Sequence, residues 1–424
     1  MNQTTLLHLL PAISILFFMT SHSVFSPSVL GQSTSATKAV PDTPRSALHN
    51  SFVKLSQNKR LKIVVIGNSV THGPTGDDRV SFYHRLYDWL SAKFPQAQIE
   101  LKTGIIFAIG PELQLFRMDE KVFFEKPDLV LVEFGAANGA WGDKGREVTE
   151  RATEGYIRRL RFMLPQADCI MQMGLFKTMM DDYRAGKAPA SVTYQYAVAK
   201  HYGCAISDAE KALADRMLAG DSWETYMKDA IHPNPKGYEV HGQTLTAELD
   251  RQYELFNATP ESDRRVIDHA FPARTVHPDP WLFPQLVPAL HAEKIDGFSV
   301  QESGRLKFLA ADKPDAGGTF SAGRGRIVGV LMRSPDKRGN LEVRADGAGP
   351  WVRLSQKGEP RFTEEDDPSN YLQRYLFVTY GLPLYCDSIE FRVCADPEVT
   401  GNMDVQIVGF LIVDPPARFV FTRE

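Results

Sequence analysis

The chain has 424 residues, 43% of them hydrophobic and 24% charged. That is the balance of ordinary globular protein, with apolar material for more than one core, and it excludes a wholly disordered or fibrous chain. The formal net charge of −4 gives no electrostatic reason to expect nucleic acid or an anionic membrane surface as partner.

The first segment differs from the rest. Leu6 to Met19 is an apolar run broken only by His8, Pro11 and Ser14. It is shorter than the roughly 20 residues a membrane span needs. Small residues follow it, and Val29-Leu30-Gly31 offers a cleavage context. We read a signal peptide over 1–31, although its start lacks Lys and Arg, with a single membrane anchor as the alternative. The expectation is a secreted or periplasmic protein with no integral membrane span in the mature chain. Residues 32–58 read as a polar, disordered lead-in.

A catalytic-sized α/β region is expected over 59–258. Ile63-Val64-Val65-Ile66 has the length and β-branching of a buried parallel strand, and it stops at Gly67. Ser81 to Phe94 carries a helical apolar stripe ended by Pro95. Short strands at Ile99–Leu101, Leu129–Phe134, Ile170–Leu175 and Ala205–Ser207 alternate with helices at Glu147–Leu164, Ser191–His201, Asp208–Leu218 and Asn234–Phe256. Such alternation argues for a five-stranded parallel sheet with helices on both faces.

The pattern changes beyond the last helix. A Pro-rich linker is expected over 259–293. From 294 to 424 the period is two: Leu341, Val343 and Ala345 alternate with Glu342 and Arg344, and Ile389, Phe391 and Val393 with Glu390 and Arg392. This predicts an all-β sandwich of some eight short strands, separate from the first domain. Cys386 and Cys394 flank one such strand and would lie about 26 Å apart, at 3.3 Å per residue, too far to bridge. Cys169 and Cys204 each open a strand and read as free, buried small hydrophobes.

Three stretches stand at strand ends or ahead of the last helix. Gly67-Asn68-Ser69-Val70-Thr71-His72-Gly73 follows the first strand, Gly135-Ala136-Ala137-Asn138-Gly139 the third, and Asp229-Ala230-Ile231-His232-Pro233 precedes the last helix. Each alone is weak, since Ser69 and Asn138 suit turns and His232 a loop. Together they supply a nucleophile, an amide donor and a carboxylate–imidazole pair at one sheet edge. The Asp-x-x-His spacing lets a turn fold the carboxylate back onto the ring. The first stretch lacks the Lys-Ser/Thr of a phosphate loop and is not Gly-x-Ser-x-Gly, so it fits neither phosphate binding nor the nucleophile elbow.

The segment from about Lys62 to Gly242 resembles the SGNH, or GDSL-type, hydrolase superfamily. Ser69 matches its block I serine, Asn138 its block III asparagine, and Asp229 with His232 its block V Asp-x-x-His. The resemblance implies a flavodoxin-like three-layer αβα domain and a serine esterase mechanism with neither metal nor cofactor. Ser69 attacks, His232 moves the proton and Asp229 orients His232. The backbone N–H groups of Ser69 and a block II glycine form the oxyanion hole with the amide of Asn138. Gly110 has the better spacing for that glycine and Gly104 is the alternative. Asn68 stands where the family commonly has Asp, and the loop around Asn138 is one residue longer than usual. His72, His241, Lys177, Asp181, Asp182 and Tyr183 are lesser candidates near the motifs.

With export, a sandwich and no lid-like apolar stretch, the expected substrate is an O-acetylated carbohydrate. A lipase-like esterase or O-acyltransferase on the same triad is the alternative, and a non-catalytic carbohydrate-binding protein the alternative of another class. An aryl acetate and a panel of acyl esters would separate them.

Overall fold

The computed structural model describes residues 45–73, 81–106, 109–135, 142–303, 306–323, 325–333, 340–354, 376–378, 386–394 and 404–414. The expected signal peptide and Asn138 lie outside these residues.

Five strands form a wholly parallel sheet: β1 (Arg60–Gly67), β2 (Gln98–Ile105), β3 (Leu129–Glu133), β4 (Asp168–Gln172) and β5 (Ala205–Ser207), in the order β2-β1-β3-β4-β5. Successive residues of one strand feed opposite layers. Val64, Ile66, Val130 and Val132 point into one apolar core, and Ile63, Val65, Leu129 and Leu131 into the other. That two-sided burial is why these strands read as continuous apolar runs rather than alternating ones. The first core is covered by α4 (Pro111–Phe116), α5 (Gly142–Met163) and α7 (Ala190–Tyr202). The second is covered by α1 (His49–Val53), α3 (Phe82–Lys93) and α9 (Pro235–Ala258). The short helices α2 (Ser69–His72) and α6 (Met180–Arg184) and the ten-residue α8 (Ala209–Leu218) complete the set among the described residues. The strand order reverses between β1 and β3. Open α/β sheets bind their ligands at that switch point, beyond the carboxyl ends of the strands.

The lead-in expected to be disordered over 32–58 is ordered in its last part. His49–Val53 is helical, and Leu48, Phe52, Val53 and Leu55 are buried in the second core, with Phe52 packed against Tyr253 at 5.3 Å between ring centroids. Four apolar residues within one helical stretch outweigh the polar composition around them. The expected linker over 259–293 is also built in. Trp281 is buried, and β6 (Gln285–Pro288) pairs with the sandwich. Proline removes backbone donors, and several remaining N–H groups of this segment find fixed acceptors, Glu154 taking those of Val276 and His277.

Antiparallel strands make up the second region. One sheet runs β13-β12-β15-β10-β7: Val352–Leu354, Asn340–Ala345, Ser388–Cys394, Gly317–Ser321 and Glu293–Asp296. The other runs β14-β11-β16-β9-β8: Leu376–Val378, Arg326–Arg333, Val405–Val413, Leu306–Ala311 and Ser299–Ser303, with β6 added beside β16. The first sheet alternates as expected, Ile389, Phe391 and Val393 facing the sandwich core. β16 does not alternate, and all nine of its residues are buried. Ile407, Phe410 and Ile412 face the sandwich core, while Leu411 and Val413 join the core over α4 and α5. Val408 packs with Leu113 of α4, Phe308 and Leu331. The sandwich therefore shares apolar cores with the parallel domain.

All four cysteines are free, and Cys169 and Cys204 lie side by side at the starts of β4 and β5, hydrogen-bonded to each other. No helix among the described residues is long and apolar enough to cross a membrane.

Candidate active site

β1 ends at Gly67, and the chain turns at once into α2. The Asn68 side chain caps that turn, its Oδ1 accepting from the Val70 N–H at 2.9 Å. A hydrogen bond from the His72 N–H to the Asn68 carbonyl (3.0 Å) closes it. Ser69 is thus the first residue of a one-turn helix at the switch point, half-buried and facing the edge. A Cβ on Gly67 would stand 1.8 Å from Thr71 Oγ1, so only glycine lets the turn close this tightly.

The partner histidine comes from the loop between α8 and α9. Both oxygens of Asp229 organise that loop. Oδ1 accepts from the backbone N–H groups of Ile231 and His232, each at 2.8 Å, and Oδ2 accepts from His232 Nδ1 at 2.8 Å. Trp223 Nε1 donates to the Asp229 carbonyl (2.8 Å), and the Lys177 N–H to that of Ala230 (3.0 Å). Asn234 caps α9 through Lys236 and Gly237 and holds the loop through the carbonyls of Glu224 and Thr225. The loop is pinned from both sides, which fixes the imidazole by its neighbours rather than by burial.

His232 Nε2 lies 2.8 Å from Ser69 Oγ. Partial burial alone would raise the Asp229 pKa. The N–H groups of His232 and Ile231 and the His232 ring outweigh it and hold the carboxyl below its ordinary value. An ionised carboxylate can only accept, so Nδ1 carries the proton and Nε2 presents its lone pair to the serine hydroxyl. The arrangement can draw the proton off Ser69 as its oxygen attacks an electrophile and can return that proton to a leaving group.

Beneath the serine lies a buried polar cluster. Glu133, the last residue of β3, is fully buried and accepts from Thr71 Oγ1 at 2.9 Å. Burial raises its pKa to about 7, against the opposing pull of the Thr71 hydroxyl, the Asn68 side chain and the nearby backbone. Gly135 follows with φ +61, and a Cβ there would meet Asn68 Nδ2 at 1.9 Å and Glu133 Oε1 at 2.8 Å. Gln114 of α4 bonds the Glu133 carbonyl (3.2 Å), and Ser81 bonds the Thr71 carbonyl (2.6 Å). Asn68, Thr71 and Gly135 belong to the motif stretches, whereas Glu133, Gln114 and Ser81 lie outside them. The signal was there: a lone carboxylate ending an otherwise apolar run, immediately before a motif.

The remaining candidates separate. Gly110 is the N-cap of α4, in extended conformation. Gly104 sits within the β2 ladder opposite Ile66, whose Cδ1 would lie 2.6 Å from an added Cβ. His241 is fully buried on α9, stacked 5.5 Å from Phe82 and bonded to Gln172, and burial lowers its pKa to about 3. It is a neutral core histidine. His72 ends α2. Lys177 does reach the histidine loop, with Nζ 5.9 Å from the centroid of the Trp223 ring. Asp181 is exposed and paired with Arg184, and Tyr183 lines a separate cavity of about 580 Å³ beside Tyr196 and Lys187.

A flavodoxin-like sheet with a serine, a histidine and an aspartate joined in line at its switch point defines the class: a serine hydrolase with the order Ser, Asp, His along the chain. Residues 65–240 match the model of the GDSL-like Lipase/Acylhydrolase family. The match spans the parallel sheet and both the Ser69 turn and the Asp229–His232 loop, so this segment is similar to GDSL-type lipases and acylhydrolases. Among solved structures, the chain is similar to a two-domain esterase active on acetylated mannans, co-crystallised with mannopentaose. The match has 17% identity, covers 88% of this chain and 96% of that one, and has a TM-score of 0.66. A second structure of a two-domain esterase active on acetylated mannans gives 17% identity over 87% and 96%, with a TM-score of 0.65. No curated protein matches the chain.

Proposed function

We propose that the protein is an exported serine esterase that removes O-acetyl groups from a carbohydrate. The Ser69–His232–Asp229 relay, with both contacts at 2.8 Å, carries this reading. Ser69 Oγ attacks the acetyl carbonyl while His232 Nε2 takes its proton. The tetrahedral adduct collapses, the sugar oxygen leaves with that proton, and acetyl-Ser69 remains. Water then attacks the acyl group with His232 again as base, releasing acetate. The backbone N–H groups of Ser69 and Gly110 and the Asn138 amide are assigned to the oxyanion.

Two observations support a bulky polar substrate. The His232 and Asp229 side chains are 34% and 49% exposed, which suits a bulky substrate approaching from solvent. The two-domain arrangement is also shared with an esterase active on acetylated mannans, an analogy of fold. We assign 59–258 to catalysis and 294–424 to the sandwich.

The test is turnover of a small aryl acetate, acetylated glycans and long-chain acyl esters by wild type and Ser69→Ala. Acetate release from glycans by wild type, lost in a folded Ser69→Ala protein, is the expected result. Preference for long acyl chains would make it lipase-like, transfer to an added sugar would make it an acyltransferase, and glycan binding without turnover a lectin-like protein. A folded Ser69→Ala variant with wild-type turnover would end the serine reading.

A further inference from the structure

We propose that Glu133 is a positioning residue whose buried carboxyl group clamps the Asn68–Thr71 turn to the end of β3 and so aims the Ser69 hydroxyl at His232. The proposal rests on the role of Ser69 as nucleophile.

Three contacts make the clamp. Thr71 Oγ1 donates to Glu133 Oε2 (2.9 Å), which ties the far side of the turn to β3. Asn68 caps the near side through Val70 and packs its amide into the space that a side chain on Gly135 would fill, against the same carboxyl. Thr71 Oγ1 occupies the space that a Cβ on Gly67 would fill, so the glycine at the end of β1 leaves room for the hydroxyl to reach Glu133. Ser69 lies between the two clamped residues, with its own hydroxyl free to meet His232. A one-turn helix cannot hold itself in a single conformation, because nucleation costs more than one turn returns. The β3 carboxyl supplies the missing constraint.

Burial and hydrogen bonding pull the carboxyl in opposite directions. Its site is fully buried, and its pKa rises to about 7. Oε2 accepts from Thr71, and the Asn68 side chain and the backbone of Asn68 and Gly135 also favour the carboxyl as an acceptor. Glutamine keeps an acceptor oxygen of the same reach for Thr71, without charge.

The experiment compares wild type with Glu133→Ala, Glu133→Gln and Thr71→Val on a small aryl acetate, each checked by circular dichroism. Labelling of Ser69 by a phosphonate ester is followed by mass spectrometry. Glu133→Ala and Thr71→Val should lower kcat about 10- to 100-fold, as expected for misplacing a reacting group by about 1 Å. KM should change little, since the carboxyl does not reach the substrate. Glu133→Gln should restore kcat to within about threefold of wild type, because it rebuilds the clamp. If Glu133→Ala does not fold, Thr71→Val, which keeps the branched shape and removes only the donor, decides alone. Wild-type kcat in folded Glu133→Ala and Thr71→Val, or a kcat loss in Glu133→Ala that Glu133→Gln does not restore, would overturn the clamp while leaving the esterase. Absence of turnover and of Ser69 labelling in the wild type would instead remove the nucleophile reading on which it stands.

Discussion

Two buried polar regions of the parallel domain are built in opposite ways. Along the seam where residues 264–281 meet α5 and the amino-terminal ends of the strands, the buried Glu154, Asp168 and Arg161 side chains are each held by several partners. Glu154 accepts from Tyr194, Tyr202, Val276 and His277. Asp168 accepts from the Ser51 N–H and from His269, and Arg161 donates to the carbonyls of Ala167, Tyr202 and Gly203. At the carboxyl ends, under Ser69, the groups are equally buried but incompletely partnered among the described residues: Glu133 Oε1, Gln172 Oε1, Tyr238 Oη and His241 Nε2. A saturated buried network fixes a fold. A partly satisfied one costs stability and is kept where something other than stability is at stake. One sheet thus carries its structural polarity at one end and its chemical polarity at the other.

Substitutions at the two ends should fall into different kinds of loss. The largest is at the chemical end. Asp229→Asn keeps the shape of the loop but can hold the wrong imidazole tautomer, so kcat should fall about 10⁴-fold with little change in unfolding midpoint. A midpoint shift large enough to explain the rate loss would blur the contrast. Next is removal of the seam and sandwich together. A chain ending at Ala258 loses Trp281, Leu411 and Val413 from the core over α4 and α5. It should show neither a cooperative unfolding transition nor turnover, contrary to the separability the sequence pattern implies.

A single cut at the seam should be smaller and purely structural. Glu154→Ala strands four donors and should cost about 3 kcal/mol or more in chemical denaturation. Turnover per folded molecule should stay within about twofold, since no reacting group moves. A selective kcat loss there would break the division between the two ends.

A further effect is a matter of pH. The folded-state pKa of His241 is lowered to about 3 from 6.5, so the unfolded chain takes up its proton first on acidification. The stability tied to neutral His241 is present above pH 6.5 and lost as pH falls from there toward 3. Glu133 works with the opposite sign. Its pKa is raised to about 7 from 4.5, so its contribution is fully present below pH 4.5 and lost as pH rises to 7. His241→Asn should flatten the acid loss of stability and leave the Glu133 slope, read from denaturation midpoints at a series of pH values.

Much of this was legible in the residues. Ile63 to Ile66 announced a buried strand, and the three-residue step from Asp229 to His232 announced a carboxylate folded onto an imidazole. Local pattern carries such features because neighbours in sequence make them. Glu133 escaped because nothing local shows that Thr71, sixty residues earlier, would donate to it. The helix at His49–Val53 escaped because its apolar residues sit in polar company. The docking of the sandwich escaped too, although Val405 to Val413 held the sign: a nearly unbroken apolar run in a domain that otherwise alternates has two faces to hide.

That strand has a consequence in time. Val408 meets Leu113 roughly 300 residues away along the chain, and contacts so distant in sequence form late because loop closure must be met before they contribute. During synthesis the apolar flank of α4 and α5 is therefore made long before the strand that covers it. Until β16 arrives, Leu113, Leu115 and Phe116 present an adhesive surface of the kind that drives association of nascent chains. The Ser69 turn and the histidine loop are both translated by then, so maturation of the enzyme waits on a strand that contributes no residue to the hydrogen-bonded line of Ser69, His232 and Asp229.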